Sequence, residues 1–199
     1  MKIGIYGGTF DPPHIGHIEA FKAFLKQFDF DKAFVIPVYK PPHKDLHSSV
    51  SVEDRLNMTK LAFENVGENV VVSDIEIKRQ GKSYTADTIA HFKSEGYDDI
   101  YFLCGTDMIL TMDLWYKPEY IFQNATVVYV RREHDSEITE KIDCKVKEYE
   151  KKFGAKIVSL DADVIEISST DVRAGIVNGE LSYLTDSIKD YIVKGGLYR

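Results

Sequence analysis

The 199-residue chain is poor in several features that would each have dictated a class. It has only two cysteines, Cys104 and Cys144, with no Cys-x-x-Cys pair and no clustered Cys/His spacing. That argues against a disulfide framework and against structural zinc, and fits a compartment where thiols stay reduced. No apolar run approaches bilayer length and no signal-peptide core follows Met1-Lys2, so the expectation is a cytoplasmic protein with no membrane partner. Positive charge is in deficit: 25 Lys+Arg against 32 Asp+Glu leave a net charge of -7, which disfavours nucleic acid as a partner. A polyanionic ligand would need local cations, which the chain offers at Lys40, Lys44, Arg131, Arg132 and Arg173. Linkers and low-complexity runs are missing too, so residues 1–199 read as a single domain. The G-x-G-x-x-G loop of the dinucleotide-binding dehydrogenases and the G-x-x-x-x-G-K-[ST] loop of P-loop proteins are both absent.

What is present is an alternation of short β-rich apolar runs with longer amphipathic segments. Strands are expected over Lys2 to Tyr6, Ala33 to Val38, Val70 to Ile75, Ile100 to Cys104, Thr126 to Val130 and Lys156 to Leu160. Helices are expected over His17 to Phe28, Glu53 to Glu64, Thr85 to Ser94 and Ser136 to Lys152, then after Ser168-Ser169-Thr170 and near Asp186 to Lys194. Such an order predicts an α/β fold, a doubly wound and mainly parallel sheet with helices on both faces. The charged segment 136–152 reads as a solvated outer face without a chemical role, and Cys104 as a small core residue. Ligands of open α/β sheets sit beyond the carboxyl ends of the strands, which selects the loops after the first, second, fourth and last strands.

The first of those loops, Gly7 to His17, reads Gly-Gly-Thr-Phe-Asp-Pro-Pro-His-Ile-Gly-His. Adjacent glycines permit close approach to an anion and positive φ, two prolines stiffen the loop, and His14 and His17 lie one helical step apart at a helix start. Each feature alone has an ordinary structural explanation; together they point to one anion. After the second strand, Pro41-Pro42-His43-Lys44 delivers one cation from a stiffened loop, while His43 and His47 are discounted as a metal pair because the prolines oppose a helix. Ile167-Ser168-Ser169-Thr170-Asp171-Val172-Arg173 sets hydroxyls at a helix start and an arginine one turn in, the pattern of an ordinary cap or of a phosphate fork. The helix beginning at Tyr84-Thr85 offers first-turn amides to a carboxylate. Trp115, the only tryptophan, is by burial tendency a packing residue before a ligand platform.

Gly7 to His17 resembles the HxGH signature of the nucleotidylyltransferase superfamily, and Ile167 to Arg173 resembles its ISSTxxR signature. With Tyr84-Thr85 and Trp115-Tyr116 added, the chain is similar from Gly7 to Arg173 to the bacterial nicotinate-nucleotide adenylyltransferases. The resemblance implies one Rossmann-like nucleotidylyltransferase domain that joins ATP to nicotinate mononucleotide, releasing pyrophosphate. It implies catalytic roles on the phosphates for His14, His17, Lys44 and Arg173, and an ATP site from Gly7, Gly8, Thr9, Phe10, Gly16, Ile167, Ser168, Ser169 and Thr170. Gly105 and Asp107 fall where that family reads ribose, and the backbone near Arg131 and Arg132 where it reads adenine. Tyr84, Thr85, Trp115 and Tyr116, with Lys44, would hold the pyridine nucleotide. Mg²⁺ would arrive with ATP, held by phosphates and water and by no protein cage; Asp11 is the nearest carboxylate, or a cap for the turn. A homo-oligomer is left open, as is a lid over residues 39–49. The rival readings are the same chemistry on nicotinamide mononucleotide or phosphopantetheine, and a nucleotide-binding sensor that has lost catalysis.

Overall fold

Successive strand residues face opposite ways, and in this chain both faces are apolar, so the sheet must be covered twice. A computed structural model of the chain describes residues 1–42, 50–130, 136–160, 165 and 167–199. Among them, β1 (Lys2–Gly8), β2 (Lys32–Pro37), β3 (Val70–Val72), β4 (Asp99–Cys104), β5 (Thr126–Val130) and β6 (Lys156–Leu160) form one sheet in the order β3-β2-β1-β4-β5-β6. Every neighbouring pair is parallel. The winding reverses between β1 and β4, and the crevice beyond their carboxyl ends is where such a sheet takes a ligand.

The helices are α1 (Ile15–Gln27), α2 (Val52–Phe63), α3 (Ile75–Arg79), α4 (Thr85–Ser94), α5 (Thr106–Ile109), α6 (Pro118–Asn124), α7 (Ser136–Phe153), α8 (Ser169–Val177) and α9 (Asp186–Gly195), with a 3₁₀ turn at Met112–Leu114. On one face Tyr6, Val35, Leu103 and Val128 pack with Phe21 and Phe24 of α1, Met58 and Phe63 of α2 and Ile188 and Ile192 of α9. On the other, Ile3, Ile5, Phe102, Cys104 and Val127 pack with Ile89 and Phe92 of α4, Phe122 of α6 and Tyr149 of α7. Roughly 1.5–3 kcal/mol per fully buried large apolar side chain makes these two layers the main stabilising term. The fold is the Rossmann-like one expected, and no helix among the described residues is long and apolar enough to cross a membrane.

Several boundaries differ from the sequence reading. β1 continues through Gly7 and Gly8, which pair with Ile36 and Pro37 of β2. β3 stops at Val72, and Ile75 opens α3 instead of closing the strand. α1 starts two residues earlier than expected, at Ile15. α3, α5 and α6 were not expected, because four to seven residues are too few to display a helical period. In α2 the buried face is Arg55, Met58, Thr59, Ala62 and Phe63, so a charged residue stands where an apolar stripe was read.

Candidate functional site

Beyond β1 the chain turns sharply, but not where the glycines suggested. Neither Gly7 nor Gly8 is left-handed; the positive φ, 48°, belongs to Phe10. The Phe10 ring folds back into the core against Tyr6, Phe63 and His17. Gly8 is required for a different reason: a Cβ there would lie 2.7 Å from the Phe10 ring. At Gly16 a Cβ would lie 2.8 Å from the backbone oxygen of Ile165, so α1 begins in contact with the segment that leads into α8.

His14 is the N-cap of α1 and His17 its third residue. Their rings are 3.7 Å apart at 37°, and the His14 backbone N–H donates to His17 Nδ1 at 3.3 Å. Acceptance at Nδ1 leaves the proton of a neutral His17 on Nε2. His14 is 3% exposed, and its Nδ1 has no hydrogen-bond partner among the described residues. Burial pushes its pKa down from 6.5 to about 4, against a smaller opposing pull from Asp171. A buried orphan of this kind costs about 1–3 kcal/mol, and here it sits at a helix N-terminus, where amides and dipole already favour an anion.

α8 meets this loop from the other side. Ser168 caps α8, accepting from the Asp171 backbone N–H at 3.1 Å and donating its hydroxyl to the Asp171 carboxylate at 2.6 Å. Ser169 donates to the Pro12 carbonyl at 3.0 Å. Arg173 donates to the Asp11 carbonyl at 2.6 Å and to Thr170 Oγ1 at 3.1 Å, and stands 3.8 Å from the Asp11 carboxylate. One of the guanidinium's five donors therefore fixes the loop itself, and a second ties the side chain to its own helix. Asp11 is buried and also accepts from the Tyr198 hydroxyl at 2.7 Å. Ile167 packs against the core at the entrance to α8.

The other residues expected at the site are Gly105, Asp107, Tyr84, Thr85, Trp115 and Tyr116. Gly105 is the N-cap of α5 with Asp107 in its first turn, and Thr106 anchors this turn by donating to the Val130 carbonyl at 2.6 Å. Tyr84 is the N-cap of α4 and Thr85 its first residue. The Tyr84 and Tyr116 rings lie 4.4 Å apart at 35°, which brings together the two segments that the sequence linked to one ligand. Trp115 is half-buried, edge-on to Phe102 at 6.4 Å, so it packs on the sheet and keeps part of its ring accessible.

A cytidylyltransferase-like family model matches residues 5–175. A Clostridium tetani protein named "probable nicotinate-nucleotide adenylyltransferase" is 37% identical over 202 residues, covering 100% of this chain and 99% of its own. A protein of the same name from Caldicellulosiruptor saccharolyticus is 33% identical over 202 residues, covering 100% of both. The chain belongs to the nicotinate-nucleotide adenylyltransferase family. Among solved structures, the nicotinic acid mononucleotide adenylyltransferase of Plasmodium falciparum, complexed with APC, has the same fold at a TM-score of 0.74 and 22% identity, covering 99% of this chain and 96% of that one.

Several residues for which the resemblance implies a role, Lys44, Arg131 and Arg132, lie outside the described residues, as do His43, His47 and most of the 39–49 loop. Two side chains that build this adenylyltransferase's crevice were missed altogether. Arg55, 1% exposed, donates to the Thr9 carbonyl at 2.7 Å and to the Tyr39 carbonyl at 3.2 Å, joining the loops after β1 and β2. Its signal was its spacing, one helical face with Met58, Thr59 and Ala62. Tyr198, which holds Asp11, carries no local signal at all.

Proposed function

We infer that the crevice between the β1 and β4 loops runs adenylyl transfer. The enzyme transfers the adenylyl group of ATP to nicotinate mononucleotide, giving nicotinate adenine dinucleotide (deamido-NAD) and pyrophosphate. The observation that carries the site assignment is the buried, unpartnered His14 Nδ1 beside His17 at the start of α1, facing the hydroxyl-bearing turn of α8.

No protein base is needed. A phosphate monoester, with a second pKa of about 6, is largely ionised near neutrality, so the acceptor phosphate attacks the α-phosphorus already activated. The protein's work is in-line positioning and stabilisation of charge on the α-phosphoryl oxygens and the departing pyrophosphate. His17 and His14 serve the α- and β-phosphates with help from Lys44, and Ser169, Thr170 and the remaining Arg173 donors hold the outer ones. Gly105 and Asp107 face the ribose. The first-turn amides of α4 receive the nicotinate carboxylate, with Tyr84, Trp115 and Tyr116 around the ring. Mg²⁺ bound with ATP would supply charge neutralisation on the triphosphate. The Asp11 carboxylate, engaged by Tyr198 and facing Arg173, is poorly placed as a ligand, which fits an ion held by phosphate oxygens and water. Both cysteines are free, the state of a reducing cytoplasm, where we place the enzyme.

The test incubates purified protein with ATP, Mg²⁺ and, in parallel, nicotinate mononucleotide, nicotinamide mononucleotide or phosphopantetheine, and identifies the products. Preferential formation of deamido-NAD with pyrophosphate is expected. Faster turnover of another acceptor, or no pyrophosphate despite ATP binding, would overturn this reading.

A further inference from the structure

Glu76 lies in α3, is 5% exposed and is used by no step above. Its Oε1 accepts from Thr88 Oγ1 at 2.6 Å, while Oε2 has no partner among the described residues. Thr88 stands one turn into α4, on the same side as Tyr84, whose carbonyl is 3.4 Å from its hydroxyl. Arg79 reaches the pair from α3, donating to Thr88 Oγ1 at 3.2 Å and standing 3.9 Å from Glu76 Oε1. Ser83 is buried, its hydroxyl acts on the Glu76 carboxylate as a hydrogen-bond donor, and it accepts from the Tyr39 backbone N–H at 3.0 Å. The Ser83 N–H in turn donates to the Lys40 carbonyl at 2.9 Å.

These contacts form one chain running from the loop after β2 through Ser83 and Glu76 to the first turn of α4. A buried carboxylate held mainly by neutral hydroxyl donors, with Arg79 no nearer than 3.9 Å, is a costly way to hold a helix in place, and an apolar residue would serve packing alone better. We propose that Glu76 is a positioning residue for the acceptor nucleotide: through Thr88 and Ser83 it sets the Ser83-Tyr84-Thr85 turn so that the α4 amides and the Tyr84 ring meet the pyridine carboxylate together. The proposal deepens the functional reading above and rests on its assignment of that turn to nicotinate mononucleotide. Glu76 touches no reacting atom, so its effect belongs in acceptor binding and not in chemistry or ATP binding.

The test measures kcat and both KM values for Glu76→Ala, Glu76→Gln and Ser83→Ala in the full chain. Glu76→Ala should raise KM for nicotinate mononucleotide about tenfold, leaving KM for ATP within about twofold, the size of effect set by one lost buried hydrogen bond. Glu76→Gln, which keeps the volume and an acceptor for Thr88, should recover most of that loss. Ser83→Ala, a small change that keeps the fold if Glu76→Ala does not, should shift the same KM alone. Equal rises in both KM values, Ala and Gln behaving alike, or an unchanged acceptor KM in Ser83→Ala would each overturn the proposal. Thr85→Pro separates the two levels, because proline is tolerated at a first helical position while deleting the amide. If Thr85→Pro raises the acceptor KM and the Glu76 variants do not, the turn is the acceptor site and Glu76 is not its positioner. If Thr85→Pro also has no effect, the assignment of the turn falls first.

Discussion

His14 makes a pH-dependent contribution whose sign and size follow from its burial. Its imidazole has a pKa of about 4 in the folded chain against 6.5 in an unfolded one, chiefly because burial disfavours the charged ring. Well above pH 6.5 the ring is neutral in both states and adds no pH dependence. Between pH 6.5 and about 4 the unfolded chain takes up a proton that the native chain refuses, so stability falls as pH falls. Below about pH 4 the full difference is lost, about 3 kcal/mol at 1.36 kcal/mol per pKa unit. His14→Asn, which keeps a favourable N-cap residue, removes the titrating group. Urea unfolding of both proteins at pH 7.5, 6, 5 and 4.5 should show the wild type losing stability relative to the variant progressively across that window. Parallel curves would refute the neutral, buried His14.

The same assay has a ligand arm. A phosphate placed beside the ring favours imidazolium and raises its pKa, so ATP binding near pH 5.5 should be accompanied by proton uptake. Calorimetric titration in two buffers of different ionisation enthalpy reads that uptake directly. His14→Asn should lack it; identical uptake in the two proteins would remove His14 from the triphosphate.

His17→Ala should lower kcat on the order of 10²- to 10³-fold, the usual cost of one preorganised donor, while circular dichroism and melting stay near wild type; near-normal turnover would take His17 out of the mechanism. Trp115→Ala should weaken the pyridine nucleotide more than ATP in steady-state kinetics, and equal losses would make it a packing residue only. Gly16→Ala sets a methyl 2.8 Å from the Ile165 backbone oxygen, which cannot rotate away, and should cost about 1–3 kcal/mol in a urea melt. An unchanged melt there would mean that the segment before α8 yields freely.

Legibility varied with how local the physics was. The parallel sheet and the ligand loops beyond its strands followed from short apolar runs holding Ile3, Ile5, Phe102 and Val127, because burial on both faces leaves continuous β-branched and aromatic stretches, whereas the strand order that puts the crevice between β1 and β4 is a tertiary fact. The His14-x-Gly16-His17 cluster was legible as an anion site because its residues are contiguous. Its backbone was not: glycines at 7 and 8 looked like the turn, yet sheet pairing with Ile36 and Pro37 holds them extended and moves the left-handed residue to Phe10. Arg55 was hidden because a charged residue on an amphipathic helix is ordinarily solvated, and only its carbonyl partners, 46 and 16 residues away, explain its burial. Tyr198 and Asp11 are 187 residues apart, beyond any pattern in the sequence.

The loop that carries the histidines is largely satisfied by the protein itself. The carbonyl of Thr9 takes a bond from Arg55, that of Asp11 from Arg173, that of Pro12 from Ser169, and the Asp11 carboxylate one from Tyr198. Two cations, Arg55 and Arg173, thus reinforce the loop from α2 and α8, and the field of Asp11 supports the buried charge of Arg55, which burial would otherwise disfavour. His14 Nδ1 and Arg55 Nε are the buried nitrogens of this network left without a partner among the described residues, and only the first belongs to the loop itself. Because the scaffold around it is already bonded, an arriving phosphate need not reorganise the loop to reach that nitrogen, and the interaction energy is available to the transition state instead of to ordering. Arg173 therefore holds the loop before any substrate arrives. Replacing it should lose loop geometry and a phosphate donor together, a larger loss than that of a surface lysine acting as a point charge.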